Sequence, residues 1–314
     1  YRLYLSAIFI MIVVGENMLQ TMVILNPNAG RLTKKNRLAY YYQLISEYEH
    51  IEPYFFLTSE KTNAEEIVKK YHQDFDMIIA IGGDGTLNRV ITGMMKTNIQ
   101  LPIGYIPTGT TNDFARTHNI LVSQKNALSI INQHEVSLVD IGQFNDQYFS
   151  YVAAFGAYTS VAIKTSQKLK NMLGYYAYIL TSFSHLHTLK NYAITIEINN
   201  EIIHEEVIFF AVANARSIGG LLNFTFDQVS LDDGYLDMVY IRFPHNPKDL
   251  VETLRALRKR DYNHPSIVLK HIEKVKITSK TPLLWSVDGE DGGDIYEVEI
   301  STLKNKLPII KPKQ

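Results

Sequence analysis

The chain has 314 residues, which is enough for two domains of ordinary size. Hydrophobic residues make up 46% and charged residues 20%, as in globular proteins, so a disordered, collagen-like or coiled-coil chain is excluded. The 31 Lys and Arg residues balance 32 Asp and Glu residues, which excludes a general positive field for nucleic acid, and the absence of cysteine excludes disulfides and thiol catalysis.

Residues 3–15 form the longest apolar stretch, LYLSAIFIMIVVG, with a single charge before it at Arg2. A helix that spans a bilayer needs about 18 apolar residues, so this stretch is too short to span. Three interpretations stay open for residues 1–17: a leader that is non-native or translated from an upstream start, a surface anchor or edge strand, and a cleaved signal peptide. We therefore keep this leader apart from the predicted domains.

Residues 18–136 alternate between strand and helix patterns with short connections. Strands are predicted at residues 22–25, 51–57, 77–81 and 103–106, and helices at 33–49 and from a capping box at Thr62–Glu65 to His72. The strand at 77–81 is apolar at every position, which is typical of a strand buried on both faces of a parallel sheet. This half is therefore predicted to be a doubly wound α/β nucleotide-binding domain, in which ligands bind beyond the carboxyl ends of the strands.

From residue 137 to residue 302, short alternating runs typical of strands replace that pattern. They lie at residues 148–155, 192–198, 202–213, 236–241, 274–278, 283–287 and 295–300, with turn residues at Asn145-Asp146 and Asn199-Asn200. Two helices are predicted among them, at 173–189 and at 247–260, the second with Asn246 as N-cap and Pro247 at its first position. The predicted fold class is thus α/β plus mainly β, with a C-terminal β-sandwich-like domain.

Polar loops follow three of the predicted parallel strands. After the strand at 77–81 comes Gly82-Gly83-Asp84-Gly85-Thr86-Leu87-Asn88, which leads directly into a helix. Glycines let a backbone approach a ligand and take positive φ, and a helix N-terminus offers N–H groups to phosphate. A carboxylate at Asp84 repels phosphate unless a cation lies between them, so the loop suggests a metal–nucleotide site. A tight strand-to-helix turn, the alternative, explains only one of the glycines.

Residues 26–30 (NPNAG) and residues 107–114 (PTGTTNDF) are the other two loops. Each alone is an ordinary turn, but the carboxyl ends of parallel strands meet at one edge of a sheet, as a nucleotide site requires. The common phosphate-loop, dinucleotide, zinc-protease and serine-hydrolase motifs are absent from the sequence. The 10 histidines are scattered, and we interpret them as non-catalytic.

Together with Leu231-Asp232-Asp233-Gly234-Tyr235 and Val287-Asp288-Gly289-Glu290, these motifs resemble the bacterial diacylglycerol kinase family of soluble lipid kinases. The resemblance runs in order from about Met22 to the C-terminus. It implies an ATP- and Mg²⁺-dependent enzyme that phosphorylates a lipid hydroxyl, with diacylglycerol as the expected acceptor and phosphatidic acid as the product. It also implies that residues 303–314 return to the nucleotide-binding domain. The alternatives are a sphingoid base, another glycerolipid or a soluble alcohol as acceptor, and a regulator that binds nucleotide or lipid without turnover.

The resemblance also implies site residues. Glu290 would be the catalytic base, and Asp84 would belong to the catalytic site. With Asp113 and Asp140, Asp84 would form a surrounding network of carboxylates and water. Mg²⁺ would be held by the Asp233 side chain and the carbonyls of Ser230 and Tyr235. The residues implied to contact ATP are Asn26, Pro27, Asn28, Ala29, Gly30, Thr58, Gly83, Asp84, Gly85, Thr86, Leu87, Asn88, Arg89 and Thr110.

The chemistry of Glu290 agrees with the implied role, because phosphoryl transfer needs a group that accepts the proton of the attacking hydroxyl. Glu290 follows Asp288-Gly289, and a partly buried Glu in such a turn could act as general base. The alternative is that residues 287–293 form an acidic hairpin loop. The sequence departs from the family pattern at Arg89, where a Glu is usual, and after Thr58, where Gly-Asp is usual.

Two basic runs could contact anionic lipid. The first consists of Arg31, Lys34, Lys35 and Arg37; the second consists of Arg255, Arg258, Lys259 and Arg260 and ends a helix whose Leu250, Leu254 and Leu257 are predicted to face inward. Solvated helix faces are the alternative. Residues 173–180 could line an acyl-chain cleft or belong to the core. The expected partner is a lipid substrate at the membrane surface; a homodimer is a further possibility, and no nucleic acid is expected. The expected location is the cytoplasm, peripheral at the inner membrane face.

Overall fold

The computed structural model describes residues 18–29, 34–59, 62–110, 112–120, 123–156, 189–215 and 231–312, with only the backbone of Lys34 and Lys35. The leader at 1–17 lies outside the described residues, and so do residues 173–188 of the second half. Among the described residues, no helix is both long and apolar enough to cross a membrane.

The described strands and helices follow the predicted alternation and then the predicted change to strands. In chain order they are β1 (Leu19–Leu25), α1 (Lys34–Ile45), β2 (Ile51–Leu57), α2 (Ala64–Tyr71), β3 (Met77–Gly82), α3 (Asp84–Thr97), β4 (Ile103–Pro107), α4 (Asp113–Thr117), α5 (Gln124–Gln133), β5 (Val136–Phe144), β6 (Gln147–Phe149), β7 (Val152–Gly156), β8 (Tyr192–Ile198), β9 (Glu201–Ala213), β10 (Leu236–Arg242), α6 (Pro247–Lys259), β11 (Ile267–Ile272), β12 (Lys274–Val287) and β13 (Glu290–Ile310).

The chain divides into two compact units. The first contains the described residues up to Thr110, residues 120–136 and the C-terminal residues from Ile309; the second contains residues 112–119 and the described residues between Ser137 and Pro308. As domain assignments, the ranges 18–136 with 303–314 and 137–302 stay predictions.

The first unit is built on a parallel sheet. β1 lies between β2 and β3, β4 pairs with β3, and the end of β13 pairs with β4 through Ile309 and Ile103. β3 is buried at all of its positions, as predicted for a strand covered on both faces. Because β1 to β4 run in the same direction, the loops that follow them leave the sheet at one edge. The predicted doubly wound α/β fold is confirmed.

The second unit is mainly antiparallel. Its strands follow the order β11-β10-β9-β7-β12-β13; β8 pairs with both β9 and β12, and β5 pairs with β6 and β13. Aromatic side chains fill its core: Trp285 is fully buried, and its ring lies 4.8 Å from that of Phe155 and 5.0 Å from that of Phe144 in edge contacts. The predicted β-sandwich-like class is confirmed, and α6 has the predicted Asn246 cap and Pro247.

Several predicted boundaries were wrong. The strand predicted at 148–155 is two strands, because backbone N–H groups between β6 and β7 bind the Asp288 carboxylate instead of a neighbouring strand. The strands predicted at 274–278 and 283–287 are one strand, since pairing with β8 continues to Ser279 opposite Ile194. β5 and β11 were not predicted.

The capping box of α2 lies one residue later than predicted. The Asn63 side chain accepts the Glu66 N–H at 3.0 Å, and the Glu66 carboxylate accepts the Asn63 N–H at 3.3 Å. Glu65 is engaged elsewhere, since its carboxylate lies 2.7 Å from the Lys69 ammonium group. Asn63, rather than Thr62, is therefore the N-cap.

Candidate active site

Asn26 links the loop that follows β1 to the glycine-rich loop that follows β3. This residue follows β1, and its side-chain amide donates to the Thr86 hydroxyl at 3.1 Å. Its side-chain oxygen accepts the Asn28 N–H at 2.9 Å, and its own N–H donates to the Ile81 carbonyl at 3.0 Å. The NPNAG segment, described as far as Ala29, is thus attached to the glycine-rich loop at the edge of the sheet.

Gly82 and Gly83 of that loop serve close packing, and no glycine of the loop has positive φ. Gly83, the N-cap of α3, has φ −91° and ψ −177°, an extended conformation that other residues also adopt. A Cβ on Gly82 would lie 2.5 Å from the Thr86 side chain, and one on Gly83 would lie 3.4 Å from the Gly109 Cα. The expectation of positive φ was therefore wrong here. The loops after β3 and β4 approach each other at backbone distance.

The N-terminus of α3 lies at this edge. The N–H groups of Thr86 and Leu87 donate to the Gly83 carbonyl, and the Leu87 side chain is fully buried. Leu87 can therefore offer a nucleotide neither its side chain nor its N–H. Asp84 begins the helix, where the first N–H groups of a helix favour an anion.

The structure brings most of the residues implied to contact ATP into the first unit. Thr58 follows β2, and its N–H donates to the Leu25 carbonyl at 3.0 Å. The half-buried members of the set are Asn26, Pro27, Ala29, Thr58, Gly83, Asp84, Gly85 and Asn88, and the exposed members are Asn28, Arg89 and Thr110. Gly30 lies outside the described residues.

Arg37 was missed as part of this site. The sequence placed it in a surface basic run, but the structure leaves it only 3% exposed. Its guanidinium donates to the Asn26 carbonyl at 3.2 Å and also to the Pro27 carbonyl. The helical spacing from Arg37 to Tyr41 and Ile45, both buried, was the signal that could have shown that Arg37 faces inward.

In the second unit, Glu290 follows a two-residue hairpin loop. Asp288 and Gly289 have φ of 49° and 84°, and Val287 pairs with Glu290 across the turn. Positive φ at both loop residues is the conformation that hairpins with two-residue loops prefer. Glu290 is exposed, so the expectation that it is partly buried was wrong. The turn places the exposed Glu290 where β12 ends and β13 begins.

The Leu231–Tyr235 segment is held by a buried carboxylate. Asp140 accepts the Gly234 N–H at 2.6 Å and the Asn305 N–H at 2.7 Å. Burial raises the pKa of Asp140, and the negative charges of Asp233 and Asp232 add to this effect, while the two N–H groups oppose it. The side chain of Asp233, which is exposed, accepts the Tyr235 N–H at 2.9 Å.

The negative charge of the Leu231–Tyr235 segment is compatible with the Mg²⁺ site that the resemblance implies. Burial is the main cause of the raised pKa of Asp140, and the charges of Asp233 and Asp232 add a smaller effect. A divalent cation at this segment would offset the charges of these neighbouring carboxylates. No three acidic, His or Cys side chains are gathered as metal ligands in the described ranges. The Mg²⁺ ligands that the resemblance implies include only one acidic side chain, that of Asp233, together with the backbone carbonyls of Tyr235 and Ser230. Ser230 lies outside the described residues. Asp113, also implied in the carboxylate network, begins α4 and is half-buried.

Two models of known protein families match the chain. Residues 20–144 match the model of the diacylglycerol kinase catalytic domain, and residues 152–309 match that of the YegS C-terminal NAD kinase beta sandwich-like domain. The diacylglycerol kinase of Bacillus subtilis (strain 168) is 32% identical over 297 residues, covering 93% of this chain and 96% of the relative. That of Staphylococcus saprophyticus is 33% identical over 249 residues, covering 79% and 80%.

A crystal structure of a diacylglycerol kinase from Bacillus anthracis str. Sterne has a TM-score of 0.72 at 20% identity, covering 93% of this chain and 97% of that one, which shows a shared fold. The two domain matches and the sequence relatives define a lipid kinase. The chain belongs to the diacylglycerol kinase family, as its motifs predicted.

Proposed function

We propose that the enzyme transfers the γ-phosphate of ATP to the hydroxyl of diacylglycerol and releases phosphatidic acid. The observation that carries the proposal is the convergence of loops in the first unit, where Asn26 bonds to Thr86 and Gly83 approaches Gly109. Loops whose backbones lie this close together, beside the N-terminus of a helix, are suited to binding the phosphates of ATP. The exposed guanidinium of Arg89 adds a positive charge on α3 and stays a proposed contact of ATP.

Glu290 is the proposed base. The acceptor hydroxyl oxygen forms a bond to the γ-phosphorus while the bond from that phosphorus to the β–γ bridging oxygen breaks, so that ADP leaves; the hydroxyl proton passes to the Glu290 carboxylate. An exposed carboxylate at the tip of a hairpin suits a substrate that stays at a membrane surface. Asp233 and the carbonyls of Ser230 and Tyr235 would hold Mg²⁺, which would offset the charges of Asp140 and Asp232.

The test is transfer of labelled phosphate from γ-labelled ATP to lipids in mixed micelles. The lipids are diacylglycerol, a sphingoid base, ceramide and phosphatidylglycerol, each with Mg²⁺ or with a chelator. We expect label in phosphatidic acid, with Mg²⁺ only. Glu290→Gln should lower turnover by about 100-fold or more, the range for a lost general base. Glu297→Gln is the matched control, because it makes the same change at an exposed position of β13 and should stay within about twofold.

Each other outcome has a distinct meaning. Turnover of Glu290→Gln within a few fold of wild type would show that Glu290 is not the base. Label in the sphingoid base instead of diacylglycerol would replace the proposed acceptor. Bound ATP without transfer to any lipid would favour a regulator without turnover.

We also propose that the solvent face of α6 contacts anionic lipid. Leu254 and Leu257 pack against the buried cluster beneath the helix, and Arg255, Arg258 and Lys259 are exposed and form no ion pair with a described residue. Val251, on the same face, is 52% exposed and could enter the headgroup layer. The first basic run, Arg31 to Arg37, is the alternative lipid contact, but its Arg37 is buried and does not belong to an exposed surface. A cytoplasmic location at the inner membrane face and a homodimer stay predictions.

A further inference from the structure

Asp288 lies in the turn before Glu290, and its carboxylate accepts four hydrogen bonds. One oxygen accepts the Ser150 N–H at 2.8 Å and the Ser150 hydroxyl at 3.0 Å. The other oxygen accepts the N–H groups of Tyr151 and Val152, each at 2.9 Å. The Asp288 N–H in turn donates to the Val152 carbonyl at 2.8 Å. The hairpin tip is therefore attached to the segment between β6 and β7.

The same turn determines where Glu290 lies. Only Gly289 separates the two acidic residues, and the Val287–Glu290 pair closes the loop. On the far side of Glu290 the register of β13 shifts, and Gly293 takes φ 93°. Glu290 thus lies between a two-residue turn and a bulge, and the four bonds of Asp288 fix the turn on one side.

We propose that Asp288 is a positioning residue for Glu290, holding the turn so that the Glu290 carboxylate is presented in one direction. The inference rests on the proposed function, in which Glu290 is the base. A carboxylate is the side chain that suits this place, since both of its oxygens accept and neither donates. An amide would lose at least one of these bonds, because its NH₂ group would face either the Ser150 N–H or the N–H groups of Tyr151 and Val152, and two donors cannot bond to each other. Small displacements of a catalytic group lower the rate strongly, because the group must meet the reacting atoms at bonding distance.

The test is a double-mutant cycle on turnover with diacylglycerol. Asp288→Asn should lower kcat by about 10- to 100-fold and leave the KM for ATP within about twofold, because the ATP loops belong to the first unit. In the Glu290→Gln background the same substitution should lower the remaining turnover less than about twofold, because no base is left to position. Asp146→Asn, in the hairpin turn between β5 and β6, is the control for the loss of charge and should leave kcat unchanged.

Ser150→Ala tests the same contact with a smaller change, since it removes one of the four bonds and keeps the backbone donors. We expect a two- to fivefold loss of kcat in the wild-type background and none beside Glu290→Gln. This variant decides the question if Asp288→Asn does not fold. Equal losses in both backgrounds, or no loss in the wild-type background, would overturn the inference while the lipid kinase proposal stands. A Glu290→Gln enzyme with full turnover would instead contradict the proposed function, and the role of Asp288 toward Glu290 with it.

Discussion

Gly82 and Gly83 are adjacent, but a methyl group on each would meet different surroundings. At Gly82 it would lie 2.5 Å from Thr86, whose hydroxyl accepts the Asn26 amide. At Gly83 it would lie 3.4 Å from the Gly109 backbone, which is ordinary van der Waals contact. Neither position depends on positive φ, so space alone distinguishes them.

We therefore expect Gly82→Ala to lower the free energy of unfolding by roughly 1–3 kcal/mol, the usual cost of overpacking a buried position. It should also weaken ATP binding, because Thr86 must move away from Asn26. Gly83→Ala is the control and should change stability by about 0.5 kcal/mol or less. Thermal unfolding followed by far-ultraviolet circular dichroism measures both. The single Trp lies in the second unit and would report on the wrong part of the chain. Equal losses for the two variants would show that the packing at Thr86 is not what requires glycine.

At this scale the sequence predicted that the loops after β1, β3 and β4 lie at one edge of the sheet, and it missed the contacts of Asp288 and Arg37. The identities of the loop residues indicated a phosphate site without any knowledge of their neighbours. Asp288 was predicted only as part of a turn, because its partners lie 136 to 138 residues earlier in the chain. Arg37 was interpreted from its charged neighbours in sequence, whereas the carbonyls that it binds determine its burial. Roles that depend on distant partners cannot be derived from local patterns.

Among the secondary-structure elements, α2 shows how a cap is chosen. Thr62 and Asn63 are both good capping residues, and a Glu lies three residues after each of them. The side chain of Asn63 caps the helix, while the Thr62 backbone bonds to Ser59 at 2.9 Å and 3.1 Å. The loop before the helix therefore uses Thr62 and leaves the cap to Asn63.

Asn63→Ala should lower the free energy of unfolding by about 1 kcal/mol, the typical cost of losing an N-cap. Thr62→Ala, the substitution at the position favoured by the sequence, should cost about 0.5 kcal/mol or less. Urea unfolding followed by circular dichroism compares the two variants directly. A larger loss for Thr62→Ala would mean that the cap lies one residue earlier in solution.

The strands show the same division between local and distant causes. Apolar runs such as Met77–Ile81 predicted the centres of strands, because burial on both faces requires them. The ends depended on partners: β12 continues through polar residues because Ser279 pairs with Ile194, and the predicted 148–155 strand is interrupted at Ser150 by Asp288. The sequence therefore predicted the type of the elements that it identified, but it did not predict several boundaries and it missed β5 and β11.

At the scale of the whole molecule, the net charge of −1 gives no general attraction to an anionic membrane. The proposed contact with anionic lipid therefore requires a local positively charged surface. Several described cations elsewhere are paired with carboxylates, as Lys276 is with Glu297 at 3.0 Å and Arg242 is with Glu205 at 2.7 Å. The run from Thr253 to Arg260 contains four cations and no acidic residue, although Glu252 and Asp261 flank it. The proposal therefore assigns the contact with anionic lipid to this face of α6.

Vesicle sedimentation without ATP tests this contact separately from catalysis. With phosphatidylcholine vesicles that contain about 30% phosphatidylglycerol, the variant Arg255→Gln/Arg258→Gln/Lys259→Gln should bind roughly 100-fold more weakly, because each cation near such a surface contributes about 1 kcal/mol. The control Lys125→Gln/Lys190→Gln/Lys280→Gln removes the same charge from exposed positions outside α6 and should bind within about threefold of wild type. Equal losses for the two variants would mean that net charge alone governs adsorption. A loss found only in Arg31→Gln/Lys34→Gln/Lys35→Gln would assign the contact to the N-terminal run instead of α6.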